Sequence, residues 1–250
     1  MASSAPSRFD WGALAAAACV LLLSTLAWLW SAHEAAQMAA MGDMWMPPTN
    51  WLSIQGLFAF GMWLAMMQAM MLPTALPVML LYRRCLHSDR QRRAKLVLFG
   101  AAYALMWVAF AALLTGLQAL GELLRVLEPM SLRLPPKLGA AALLLSGLYQ
   151  LSPAKASCLA HCQSPLGFLQ RHGRPGLAGA WWTGLHHGLY CLGCCWALML
   201  VLLVVGAMNL WGMAMLSLLV LAEKVLPLGI GWRRGSAGLL IAAGLALLIW

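Results

Sequence analysis

Five of the seven cysteines fall into two clusters, each with histidine beside it. Cys158, His161 and Cys162 form the first. His186, His187, Cys191, Cys194 and Cys195 form the second, with Met199 one helical turn further on. Thiol, imidazole and thioether donors gathered in this way suit a soft metal, with cuprous copper first. At i, i+3 and i+4, the three residues of the first cluster share one face of a helix. His187, Cys191, Cys195 and Met199 repeat every fourth residue on one face of another. Two helices that each offer sulfur could build a two- to four-coordinate site. Zinc would accept the same Cys and His ligands. Cys19 and Cys85 stand apart and read as small apolar residues.

A second sulfur pattern lies upstream. In GMWLAMMQAMMLP, Met62, Met66 and Met70 recur every four residues, Met67 and Met71 occupy the adjacent face, and Gln68 stands among them. Pro73 and Pro77 follow, each removing a helix hydrogen bond and bending the axis. This is either a thioether ladder that passes cuprous ions along a kinked helix or an adaptable core packing of methionine. His33, Met38, Met41, Met44 and Met46 make a further group. They are expected in an external loop, as metal collectors or as an interfacial amphipathic stretch. Asp43 and Glu34 beside them are hard ligands that suit other ions. Methionine outside and cysteine inside favours copper over zinc, because thiols persist in a reducing cytosol.

The elements that must position these groups are membrane helices. The chain is 63% hydrophobic and 9% charged, with a mean hydropathy of +0.80, which excludes a soluble domain of 250 residues. The expected fold is all-α: a polytopic bundle of about seven transmembrane helices forming one integral membrane domain over residues 1–250. The segments are drawn at 11–30, 52–81, 96–120, 137–152, 183–205, 208–226 and 236–250. The first is about 20 residues long and lacks a clear cleavage site, so it reads as a retained span rather than a signal peptide. With the N-terminus inside, 13 Lys and Arg fall on the cytoplasmic side and 3 outside (Arg125, Arg133 and Lys137). This strong bias puts the N-terminus in and the C-terminus out. It fits a bacterial inner membrane. The net charge of +9 is therefore topological, not a nucleic-acid footprint. The cytoplasmic stretch 153–180 should hold one short helix, Pro153–Leu169, then a turn at 172–176. Residues 206–209 should form a hairpin. Gly184, Gly188 and Gly193 should let helices approach closely. Glu223 and Lys224 read as an interfacial pair, the lysine snorkelling.

Three strings in order, MWLAMMQAMMLP, GLYQLSPAKASCLAHCQSP and HHGLYCLGCCWALMLVLLVVGAMNLWGMAML followed by EK, resemble the bacterial predicted metal-binding integral membrane protein family. The resemblance covers roughly residues 50–228. It implies a multi-helix membrane fold and a metal, copper by the chaperone label some members carry, but no established reaction. It points to Met66, Met67, Met70, Met71, Cys158, Cys162, Cys191, Cys194 and Cys195.

The expected function is binding of a soft metal, as Cu(I), in transport or in delivery to a membrane-bound or periplasmic acceptor. No nucleotide-binding loop is present, no nucleic-acid partner is implied, and no catalytic residue is assigned. Two rival functions predict different behaviour. A thiol oxidoreductase using Cys191, Cys194 or Cys195 would form a reversible disulfide. A non-catalytic assembly subunit would hold its sulfurs structurally. Haem on His186 or His187 is a further alternative.

Overall fold

A computed structural model describes residues 10–41, 51, 53–86, 89–127, 132–226 and 228–249. Among them the regular elements are ten helices and no strand: α1 (Trp11–Met41), α2 (Ile54–Cys85), α3 (Arg92–Leu123), α4 (Pro136–Leu151), α5 (Pro153–Gln163), α6 (Pro165–His172), α7 (Gly176–Met199), α8 (Leu202–Val205), α9 (Leu210–Val225) and α10 (Gly229–Ile249). Five are long and apolar enough to cross a membrane: Trp11–Ala40, Ile54–Cys85, Arg92–Leu123, Gly176–Val205 and Gly229–Ile249. The protein is thus a multi-pass helical membrane bundle. α4 and α9 have 16 residues each. At 1.5 Å per residue that is about 24 Å, short of a ~30 Å hydrocarbon core.

Several boundaries differ from the sequence expectation, each for a physical reason. α1 runs on to Met41, so His33, Glu34 and Met38 are helical rather than in a loop. No proline or glycine interrupts the chain there. Met44 and Met46 lie outside the described residues. The expected helix 153–169 is two helices. Pro165 lacks the N–H that would continue α5 and biases Ser164 away from helical geometry, and α6 restarts on it. Gly206, at φ +95°, makes the expected turn before α9. The Asn209 side chain then accepts the Gly212 N–H at 3.0 Å, capping α9.

α2, α3 and α7 form the centre. α3 packs on α2 and α7, α1 covers α2, and α10 covers α4. α3 and α7 meet at Gly184, where a methyl group would lie 2.3 Å from the Phe99 carbonyl oxygen. α1 and α10 are peripheral, with Leu21, Leu22, Leu23, Leu26, Leu239 and Leu248 exposed. An outer apolar surface of that extent needs lipid or a partner. α2 continues through both of its prolines. Pro73 cannot donate to the Ala69 carbonyl, and Ser24 of α1 donates to it instead at 2.8 Å.

One end of the bundle collects basic groups. Arg83, at the end of α2, pairs with Asp10. Arg233 of α10 donates to the Gln150 carbonyl at 3.0 Å, satisfying the end of α4. Lys155 of α5 pairs with Glu223 of α9 at 2.6 Å. At the opposite end, Leu134 N–H bonds the Leu203 carbonyl at 2.8 Å.

Candidate metal centre

The centre is built where α2, α3, α5, α7 and α9 meet. α7 presents Cys191, Cys194 and Cys195, each at most 2% exposed. The 3.6-residue period brings all three to the packed side of the helix. α5 contributes Cys162, which is buried beside the Cys191 and Cys194 thiols. Those neighbouring thiols, and then burial, hold its proton on well above the usual thiol range. α2 contributes Met71, just before the Pro73 bend, and Thr74. α3 contributes Tyr103, whose hydroxyl lies 3.1 Å from Cys191 Sγ and 2.9 Å from the Met71 carbonyl. Thr74 donates to that same carbonyl at 2.8 Å, so Tyr103 and Thr74 share it as an acceptor.

α9 sends Lys224 into the middle. Its Nζ donates to Cys191 Sγ at 2.7 Å and lies 3.4 Å from Thr74 Oγ1, 3.7 Å from Met71 Sδ and 3.9 Å from Cys195 Sγ. The interfacial, snorkelling lysine expected from the sequence is instead buried at 6% exposure. Cys194 and Cys195 turn their thiols back to the Cys191 carbonyl, at 3.1 and 2.9 Å. Accordingly, among the described residues no group of three or more His, Cys, Asp or Glu side chains is arranged to hold a metal ion. The sulfurs are gathered, but their lone pairs do not converge on one empty point, and an ammonium stands among them. All seven cysteines are free.

The two sequence clusters therefore meet through Cys162. Cys158 and His161 diverge from it. Cys158 Sγ packs on Gly193, where a methyl would lie 2.8 Å away, and burial pushes its thiol up. His161 stacks on Tyr190 at 4.1 Å, with the rings 3° from parallel. His186 faces His172 at 5.9 Å. Both His161 and His186 place Nδ1 2.8 Å from the carbonyl four residues back. A carbonyl only accepts, so Nδ1 carries the proton and Nε2 keeps its lone pair. His187 is buried between Phe99 and Tyr103, its Nδ1 without a hydrogen-bond partner. Met199 is fully buried in the core.

Five of the six α2 methionines, Met62, Met66, Met67, Met70 and Met71, are each at most 4% exposed. Towards the opposite end from the basic groups, Met62 and Met66 join Met208 and Met213 around a crevice of about 10 Å³, close to one water-sized volume. A cleft of about 680 Å³ lies elsewhere, between α1, α2 and α3, and is apolar. Sequence spacing missed Lys224, Tyr103, Thr74, Met208, Met213 and His172. The adjacent Glu–Lys pair at the end of α9 was the one visible signal. Tyr103 and Thr74 belong to no pattern.

A family described as "Copper chaperone" matches residues 60–247. The chain belongs to that family. The matched stretch of this copper-chaperone family member runs from α2 through most of α10 and contains every residue of the sulfur centre. No curated protein and no solved structure matches the chain.

Proposed function

We propose that the protein binds a cuprous ion at the sulfur centre and moves it across, or delivers it from, a bacterial inner membrane to a membrane-bound or periplasmic acceptor. The observation that carries this reading is the meeting of sulfur from three helices at one buried place: Met71 of α2, Cys162 of α5, and Cys191, Cys194 and Cys195 of α7. These are soft donors in a setting without water-exposed oxygen ligands, which suits Cu(I) and disfavours Mg²⁺ or Ca²⁺. Membership of a family described as copper chaperones supports the same ion. Met62, Met66, Met67 and Met70 would line the approach, with Met208 and Met213 at its outer mouth. His186, His187, His161 and Cys158 lie on the cytoplasmic approach, and Met199 stands beyond the centre on α7.

The proposed topology has the whole chain as one membrane unit. It crosses seven times, with α4 and α9 as short crossings, the N-terminus inside and the C-terminus outside. What supports it is the clustering of Arg83, Lys155 and Arg233 at one end of the bundle and the positive-inside rule.

The test is elemental analysis of protein purified anaerobically in detergent. About one copper per chain after Cu(I) loading is expected, falling to background in Cys191→Ser and strongly reduced in Cys195→Ser. Intact protein that retains no copper after loading sinks the proposal and leaves the thiol oxidoreductase or assembly-subunit alternatives.

A further inference from the structure

Among the described residues four cations are buried: Arg83, Lys95, Lys155 and Lys224. Three face a carboxylate: Arg83 on Asp10, Lys95 on Asp89 and Lys155 on Glu223. Lys224 takes part in none of the ion pairs among the described residues. Its ammonium instead lies amid three sulfurs and a hydroxyl, those of Cys191, Met71, Cys195 and Thr74. A buried ammonium without a counter-charge is strongly unfavourable. The 2.7 Å contact names the anion that relieves it: Cys191 as thiolate, which Tyr103 also faces at 3.1 Å.

A monovalent cation therefore already stands where a monovalent cargo would. We propose that Lys224 is a tethered stand-in for the cuprous ion: its ammonium fills the sulfur cage when no cargo is bound and leaves it when Cu(I) enters. The proposal rests on the copper reading above. The exchange balances. The N–H···S contact of Lys224 to Cys191 breaks, a Cu–S bond to Cys191 forms, and Met71 and Cys195 are the neighbouring sulfurs able to complete the coordination. One positive charge leaves the thiolate as another arrives, and no electron moves. The ammonium binds sulfur only through hydrogen bonds, so a soft ion that forms a bond to sulfur displaces it, whereas Na⁺ or K⁺, which prefer oxygen, do not.

Lys224 is the penultimate residue of α9, and its four-carbon stem lets the head swing towards the polar end of the bundle. Its return re-forms the Cys191 pair and so expels the cargo. Lys224 is a positioning residue whose effect falls on release.

Two measurements on the full-length protein in detergent test this. The first uses unmodified protein. Amine acetylation, mapped by mass spectrometry, should label Lys224 at least threefold more in the Cu(I)-loaded state than in the metal-free state, with no increase under K⁺. Equal or lower labelling on loading overturns the proposal. The second measures transfer of bound Cu(I) to an excess of bicinchoninate. Lys224→Met should release copper at least tenfold more slowly than the parent, and Lys224→Arg should restore the rate to within threefold. Unchanged or faster release from Lys224→Met overturns the proposal while the copper reading stands. If the parent takes up no Cu(I), the copper reading falls first and this inference with it.

Discussion

Glu223 and Lys224 are adjacent on α9 and both buried, yet they enter two opposite kinds of polar cluster. Glu223 is saturated. One carboxylate oxygen takes Lys155 Nζ at 2.6 Å and the other takes Gln150 Nε2 at 2.8 Å. Its backbone carbonyl accepts from Gln163 at 2.7 Å. Gln150 also reaches Ser236 of α10 at 3.1 Å. Four helices are thus tied through one matched charge pair and the neutral hydrogen-bond partners around it. Lys224 is under-matched, a hard ammonium among soft sulfurs. Matched partners make a clamp, and mismatched ones leave room for exchange. One residue step along a helix turns the side chain by about 100°, enough to separate the two roles.

The largest expected effect comes from breaking the clamp. Glu223→Ala leaves Lys155 buried and unpaired, which costs about 3–5 kcal/mol. Fluorescence-detected size-exclusion after heating should show a large loss of folded protein. The paired change Lys155→Met with Glu223→Leu should recover most of it. If the single change is as stable as the parent, Glu223 is no clamp. Cys191→Ala is the counterpart on the exchangeable side. It should abolish copper retention, yet shift thermal stability less than Glu223→Ala does, because the Lys224 head that loses its partner can swing to the polar end of the bundle on its four-carbon stem. Equal destabilisation by the two would erase the distinction between the regions.

A smaller effect is expected at the proline bend. Ser24→Ala removes the donor that satisfies the Ala69 carbonyl, a loss of about 1 kcal/mol, read as a modest fall in melting temperature. The smallest concerns an exposed tether. The Arg83 guanidinium beside Asp10 holds its carboxyl down from 3.8 to about 2. A depressed carboxyl stabilises the fold fully above its unfolded value, and the contribution is lost as pH falls through the folded one. Between about pH 4 and pH 2, Asp10→Asn should therefore flatten the acid loss of stability slightly relative to the parent. An identical acid profile would show that the tether contributes nothing.

The all-helical membrane class was plain from composition, since so few charges over such a length leave no soluble alternative. Helix ends were less so. Hydropathy marks where a chain is apolar, whereas a helix continues until its backbone is stopped. α2 and α3 therefore run past their apolar stretches, and Arg83 and Lys95 fall inside helices. The break at Ser164 was written in Pro165 and was hidden by a helical reading of the polar face. In the centre, the spacing of Cys191, Cys194 and Cys195 indicated a shared face. It could not reveal that Cys162 rather than Cys158 joins them, because that depends on how α5 lies across α7. From the sequence alone, Lys224 at the end of an apolar run reads as a snorkelling residue. Only the packing of α9 against α2 turns it inward.

Ser24 lies on α1, at the periphery of the bundle. By holding the carbonyl released at Pro73, it splints the bend that sets Met71 and Thr74 beside Cys191. A lipid-facing rod is thereby a lever on the innermost sulfur. Bilayers of different thickness tilt such rods differently, so copper off-rates measured in short-chain and long-chain nanodiscs are expected to differ in the parent and to converge once Ser24 is alanine.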